Sequence, residues 1–514
     1  MRKNRWRNFV GIASLSFILG LGTVAAPMSV SAATEHWNDA TLTGTEGSWE
    51  DYKKNWEETR DNWKHVSLTP GKNESELNFA WYSTTKETPM VKIATDKAMK
   101  EGVKEFKGTQ EELSSDEKSR SDINGYYSNK VEVTGLEENT EYYYQVFQDG
   151  EWKEPQSYKT ESFSSYSFLY VGDPQVGACK GQTDSQGNEM TKTKPDYLAA
   201  RNDSYNWNEI LNQAVDKHPD VSFMVSAGDQ VNYADEEREY AGYLGAEALT
   251  SLPVATTIGN HDSGSAQYSW HFNNPNTQED AGDAYTEGRT QAGTDYYFTY
   301  GDVLFIFIDT NNYNCATHEN VIKKAVEENQ DKKWRVVTFH QDIYGSGKDH
   351  SDTDGMVLRT QLTPIMDKYD IDVVLQGHDH TYSRTYQLVS DGKEHGAYTK
   401  GNYKDNLGDF QADNNCYEIV SDVKGGTVTN PEGTVYFEAN SATGSKFYEL
   451  IPSQQDFIAE RSQTWTPTYS VIDVTEDTFS VTTYDSTTQE KLEGSDTYTI
   501  KKTKNQKSQD DKNQ

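Results

Sequence analysis

The sequence predicts a mixed α/β (α+β) domain preceded by an all-β sandwich, and three observations carry that prediction. From Phe163 onward, short apolar runs alternate with helical stretches, the texture of a layered α/β structure. Five of those runs end in Gly, Asp, Asn or His, at the strand ends where such folds gather their chemistry. Before Phe163 the apolar residues instead recur at every second position, the period of half-buried strands.

Taken in order, the chain opens on a basic segment (Arg2, Lys3, Arg5, Arg7) and an apolar stretch from Phe9 to Ala26. Val30-Ser31-Ala32-Ala33 then supplies small residues at a cleavage site. This is the layout of a secretory signal peptide over residues 1–32, which makes the mature protein an exported, extracellular one. No later stretch is long and apolar enough to predict a membrane span. Residues 33–65 are polar and Trp-rich (Trp37, Trp49, Trp56, Trp63) and read as a lead-in packed on the adjoining sandwich.

Residues 66–162 form the predicted sandwich. Leu77, Phe79 and Trp81 alternate with polar residues, as do Val131 and Val133. The turn Gly135–Thr140 then leads into Tyr142-Tyr143-Tyr144-Gln145-Val146, as a fibronectin type III sandwich does near its tyrosine corner. Scaffolding is its expected role. In residues 163–500 the predicted strands are Ser167–Val171, Val221–Val225, Pro253–Ile258, Val303–Ile308, Arg335–Phe339, Ile371–Leu375 and Gly433–Ala439. Tyr197–Lys217 and Arg359–Tyr369 read as helices, and Tyr469–Val474 with Thr478–Thr483 as a closing hairpin. Residues 501–514 are charged and poor in apolar groups, a disordered tail.

With 48 basic and 82 acidic residues the chain carries a net charge of −34, and loss of the basic leader makes it more negative still. Such a surface repels nucleic acid and anionic lipid. It would repel an anionic substrate as well, unless bound cations reverse the sign locally. The three cysteines, Cys179, Cys315 and Cys416, allow at most one internal bridge, so the core and not a disulfide framework must stabilise the fold.

The strand ends carry the chemistry. In order they read Gly172-Asp173-Pro174-Gln175, Gly228-Asp229-Gln230, Gly259-Asn260-His261-Asp262, His340 and Gly377-His378-Asp379-His380. On an extended strand His378 and His380 would face the same side. A single Gly-Asp pair is usually a turn, and a single His is as often a core residue as a ligand. Five such endings in succession are hard to obtain by chance. Carboxylate, amide oxygen and imidazole without thiolate suit Fe, Zn or Mn. Six or seven donors are too many for one tetrahedral ion, and two ions sharing a carboxylate suit displacement at phosphorus.

That ordered series resembles the calcineurin-like metallophosphoesterase superfamily, and within it the purple acid phosphatase family, over about residues 66–485. The resemblance implies a four-layer metallophosphoesterase sandwich behind a fibronectin-like domain. It implies a two-metal phosphoesterase in which metal-bound hydroxide attacks a phosphate monoester. By the same resemblance Asp173 and His380 hold the first metal, Asp229 bridges, and Asn260, His340 and His378 hold the second. His261 is similar to the family's histidine that contacts phosphate and protonates the leaving oxygen, with Asp262 placed to orient it.

Two positions depart from the family pattern. Its iron-binding tyrosine falls where this chain has Asn232, with Tyr233 one residue late, so Tyr233 is only a secondary candidate ligand. Gln175 stands where a Gly or His is usual and could fill a vacant position on the first metal. His350 and Arg384 are further candidates for substrate contact. The competing readings are a phosphodiesterase or nucleotide hydrolase on the same site, and a non-catalytic cell-surface binding module.

Overall fold

The computed structural model describes residues 36–45, 47–115, 121–278, 294–348, 350–351, 354–395 and 415–503. The predicted leader and residues 504–514 of the predicted tail lie outside them.

Ahead of Phe163, two antiparallel sheets pack face to face. One orders the strands Ser67–Pro70, Leu77–Ser83, Tyr127–Val133 and Thr109–Glu112, and the other is built around Met90–Ala94 and Glu141–Gln148. The period-two pattern is what fills the space between them. Leu77, Phe79, Trp81, Val131 and Val133 face Val91, Ile93, Tyr142, Tyr144 and Val146. The Glu137 amide donates to the Tyr142 hydroxyl at 2.8 Å, which ties the turn back onto its strand.

The larger part is a four-layer structure. Its first sheet runs Val254–Thr256, Val221–Ser226, Tyr166–Val171, Thr468–Val474, Thr478–Asp485, Tyr498–Lys501 and Gly426–Thr429. Its second runs Tyr296–Tyr300, Val303–Phe307, Trp334–Thr338, Val373–Gln376, Val435–Glu438, Tyr382–Thr385 and Ile458–Ser462. The apolar runs are continuous because both faces of each sheet are covered. Phe168, Phe223, Phe298, Phe305, Trp334 and Phe437 fill the layer between the sheets. Burying each such side chain is worth roughly 1.5–3 kcal/mol.

Helices close the outer faces. Leu198–Lys217 and Glu237–Leu244 cover the first sheet through Trp207, Leu211 and Tyr243. Ala316–Glu328 and Asp354–Lys368 cover the second through Ile322, Leu358 and Leu362.

Three features differ from the sequence-based expectation or extend it. The Trp-rich lead-in forms a helix, Ser48–Asp61, that packs on the distant helix Leu198–Lys217 and not on the adjoining sandwich. Trp56 is buried there and its indole donates to the Asp196 carbonyl at 2.6 Å. Tyr296–Tyr300 adds an antiparallel edge to the second sheet through the tight turn at Gly301. Finally, all three cysteines are free and buried. Among the described residues no helix is long and apolar enough to cross a membrane.

Candidate metal centre

The parallel strands Tyr166–Val171, Val221–Ser226, Val254–Thr256, Trp334–Thr338 and Val373–Gln376 all end at the same edge, so the residues after them converge. Asp173, Asp229, His340, His378 and His380 are buried, while Asn260 lies at the open rim. The His340 Nε2 atom faces Asn260 Oδ1 at 2.9 Å, His378 Nδ1 at 3.1 Å and Asp229 Oδ2 at 3.3 Å. One ring nitrogen cannot satisfy three such neighbours, whereas a shared cation can. Its other nitrogen, Nδ1, donates to the Ala227 carbonyl at 2.9 Å, which leaves Nε2 for a ligand.

Asp173 and His380 form the second half of the cluster. His380 Nε2 lies 3.1 Å from Asp173 Oδ2, while its Nδ1 donates to the Lys446 carbonyl at 2.6 Å. The other Asp173 oxygen accepts the His378 amide at 2.8 Å. Gln175 is completely buried and neither polar atom of its side-chain amide has a protein partner. The donor set and this orphaned amide fit bound metal ions.

Backbone geometry shows how the cluster is built. Asp229, His378 and His380 have φ of 50°, 80° and 46°, a left-handed conformation that non-glycine residues rarely adopt. Such strain costs on the order of 1–3 kcal/mol per residue and collects at functional sites. The strand before the histidines ends at Gln376. Their convergence therefore comes from a left-handed turn, not from a shared strand face. Glycine is needed beside them: a Cβ at Gly259 would lie 2.0 Å from Asp229 Oδ1, and one at Gly228 would lie 2.4 Å from the His340 ring.

The turn rests on a second carboxylate group, Asp342, Asp379 and Glu438, which no sequence motif announces. Glu438 accepts from Thr381 Oγ1 at 2.6 Å, Ser383 Oγ at 2.5 Å and the Ser346 amide at 2.8 Å. Burial and the Asp379 charge push Glu438 up to about 8. Ser351 donates its amide to Asp379 Oδ2 at 2.8 Å, and its hydroxyl bonds both Asp342 and Asp379. That clamp brings His350 over the centre, its ring centroid 3.9 Å from that of His378.

His261 also reaches the rim. Its amide donates to Asp229 Oδ1 and its Nδ1 donates to the Asn232 carbonyl, both at 2.8 Å. The carbonyl fixes the tautomer and leaves Nε2 as the remaining ring nitrogen. Burial lowers the His261 pKa more than the Asp229 charge raises it. Asp229 itself is held below the usual carboxylate range, because His340 and His261 outweigh the upward push of burial.

Three expectations need correction. Asp262 does not orient the His261 ring. Its carboxylate accepts the amides of Gln230 (3.0 Å) and Gly259 (2.9 Å) and so ties two strand-end loops together. Arg384 has no route to a substrate: it is fully buried, 4.2 Å over the Tyr498 ring, and bonded to the carbonyls of Thr385 and Lys424. Tyr233 points its hydroxyl at Lys180 and Lys192 and not into the carboxylate and imidazole cluster. One residue of slip along an extended segment turns the side chain the other way.

Comparison with known proteins places this geometry. A family model described as calcineurin-like phosphoesterase matches residues 166–382, and one described as purple acid phosphatase, N-terminal domain, matches residues 63–160. Among solved structures, purple acid phosphatase PPD1 from yellow lupin (Lupinus luteus) seeds is 14% identical with a TM-score of 0.59. That match covers 85% of this chain and 75% of the lupin one. A structure of PhoD is 12% identical with a TM-score of 0.47, covering 85% of this chain and 93% of the other. No curated protein matches significantly.

Proposed function

We propose, for a chain that is a calcineurin-like phosphoesterase behind a purple acid phosphatase N-terminal domain and hence a metal-dependent phosphoric ester hydrolase, that it is an exported enzyme hydrolysing phosphate monoesters at a two-metal centre. The observation that carries the reading is the convergence of Asp173, Asp229, Asn260, His340, His378 and His380 on one strand edge, with His261 beside them. The basic and apolar layout of residues 1–32 supports export.

In this reading Asp173, Gln175 and His380 hold one ion, Asn260, His340 and His378 hold the other, and Asp229 is shared. Bound ions supply positive charge for the phosphoryl oxygens and a water of lowered pKa. The chain's own residues do the rest. The left-handed turns fix the donors before substrate arrives, so little reorganisation is left for the reaction. His261, held at Nδ1 by the Asn232 carbonyl, presents Nε2 to the leaving oxygen and delivers its proton there. His350, stacked on His378, closes the side of the pocket where the ester group enters.

The test compares p-nitrophenyl phosphate with bis(p-nitrophenyl) phosphate on the metal-replete protein. The expected result is a higher kcat/KM for the monoester. A faster diester would replace this reading with a phosphodiesterase, and no hydrolysis of either by metal-loaded protein would favour a binding module.

A further inference from the structure

One cation at the centre belongs to no motif. The loop after the strand Val435–Glu438 runs back across the metal cluster and is pinned to its first motif. Thr443 Oγ1 donates to the Pro174 carbonyl at 2.7 Å, and Ser441 Oγ to the Asp173 carbonyl at 3.3 Å. The Lys446 carbonyl then accepts from His380 Nδ1 at 2.6 Å, so the lysine backbone is fixed against a donor of the cluster.

The half-buried Lys446 side chain turns inward. Its ammonium lies 4.8 Å from the centroid of the Tyr448 ring, which itself stands 5.3 Å from His380 and 5.5 Å from His350. Lysine, tyrosine and two histidines thus form one continuous wall. Burial works against the ammonium, but Tyr448 and the carboxylates of Asp229 and Asp173 outweigh it and keep it charged. The same charge is felt by His261 from the opposite side of the opening.

We propose that Lys446 contacts the substrate phosphoryl group and makes the centre selective for dianionic monoesters over monoanionic diesters. The inference rests on the phosphoesterase reading above and names the group that decides between its two ester classes. A monoester presents three non-bridging oxygens and two negative charges, a diester two oxygens and one charge. Two ions and an imidazole serve the oxygens common to both. The additional oxygen of a monoester needs a further cationic donor, and a charge-assisted hydrogen bond from an ammonium in a partly dehydrated wall supplies it. In a chain of net charge −34, a lysine at this point also offsets the repulsion of a dianion.

The experiment measures both p-nitrophenyl esters and the affinity of inorganic phosphate on metal-loaded wild type, Lys446→Gln and Lys446→Arg, with metal content determined for each. For Lys446→Gln the monoester-to-diester ratio of kcat/KM falls roughly tenfold and phosphate binds roughly tenfold more weakly, the size of one lost charged hydrogen bond. Metal content stays at the wild-type level, and Lys446→Arg recovers most of the ratio. An equal loss on both esters with unchanged phosphate affinity would overturn the proposal, as would no change at all. If wild type hydrolyses neither ester, the phosphoesterase reading fails, and the phosphate affinities alone still decide whether Lys446 binds the anion.

Discussion

Asp229→Ala reduces hydrolysis of p-nitrophenyl phosphate to background and removes bound metal. Asp229 is the carboxylate on which both halves of the cluster depend: its Oδ2 lies 3.3 Å from His340 Nε2, and its Oδ1 accepts the His261 amide at 2.8 Å. Loss of a group that merely orients a ligand costs about 10–100-fold in metal affinity. Loss of the shared donor costs more, because it weakens both positions together and leaves His340 without its charge partner. His378→Ala has the same sign for the same reason. The measurement is turnover and metal content of the purified variants, with circular dichroism to establish that the fold persists. Turnover and metal content near the wild-type values would show that Asp229 does not bridge.

His261→Ala separates proton transfer from metal binding. The imidazole is held by the Asn232 carbonyl, not by the cluster, so its removal leaves the metal content in place. Turnover falls by about 10²–10⁴-fold, the usual worth of a positioned acid or base. The size of the loss depends on the leaving group. A nitrophenolate leaves with little help, whereas an alkoxide needs its proton, so the deficit grows from aryl to alkyl phosphates. A uniform deficit across leaving groups would reassign His261 to phosphate binding, and unimpaired turnover would remove it from the mechanism.

The sequence is most informative where local pattern and chemistry coincide. Continuous apolar runs between helical stretches specify the layered fold, since a strand covered on both faces has no polar face to display. The donors Asp173, Asp229, Asn260, His340, His378 and His380 are legible because each comes just after the end of such a run, and parallel strands bring those ends to one edge. Contacts that depend on tertiary placement are not legible. Asp262 sits beside His261 in the chain, yet its carboxylate binds backbone amides of other loops. Arg384 comes soon after the last motif, yet its strand carries it into the interior against Tyr498. Lys446 and Tyr448 reach the centre only because a loop without any motif is pinned to Asp173 and Pro174. The helix Ser48–Asp61 likewise finds its partner across the whole sandwich, a contact no local periodicity encodes.

Metal analysis of the purified protein, combined with its visible absorption spectrum, tests the two-metal centre most directly. The expected result is two transition-metal ions per chain without a tyrosinate charge-transfer band, because the Tyr233 hydroxyl is engaged by Lys180 and Lys192. A protein that binds no metal, or only one ion when metal is in excess, would contradict it.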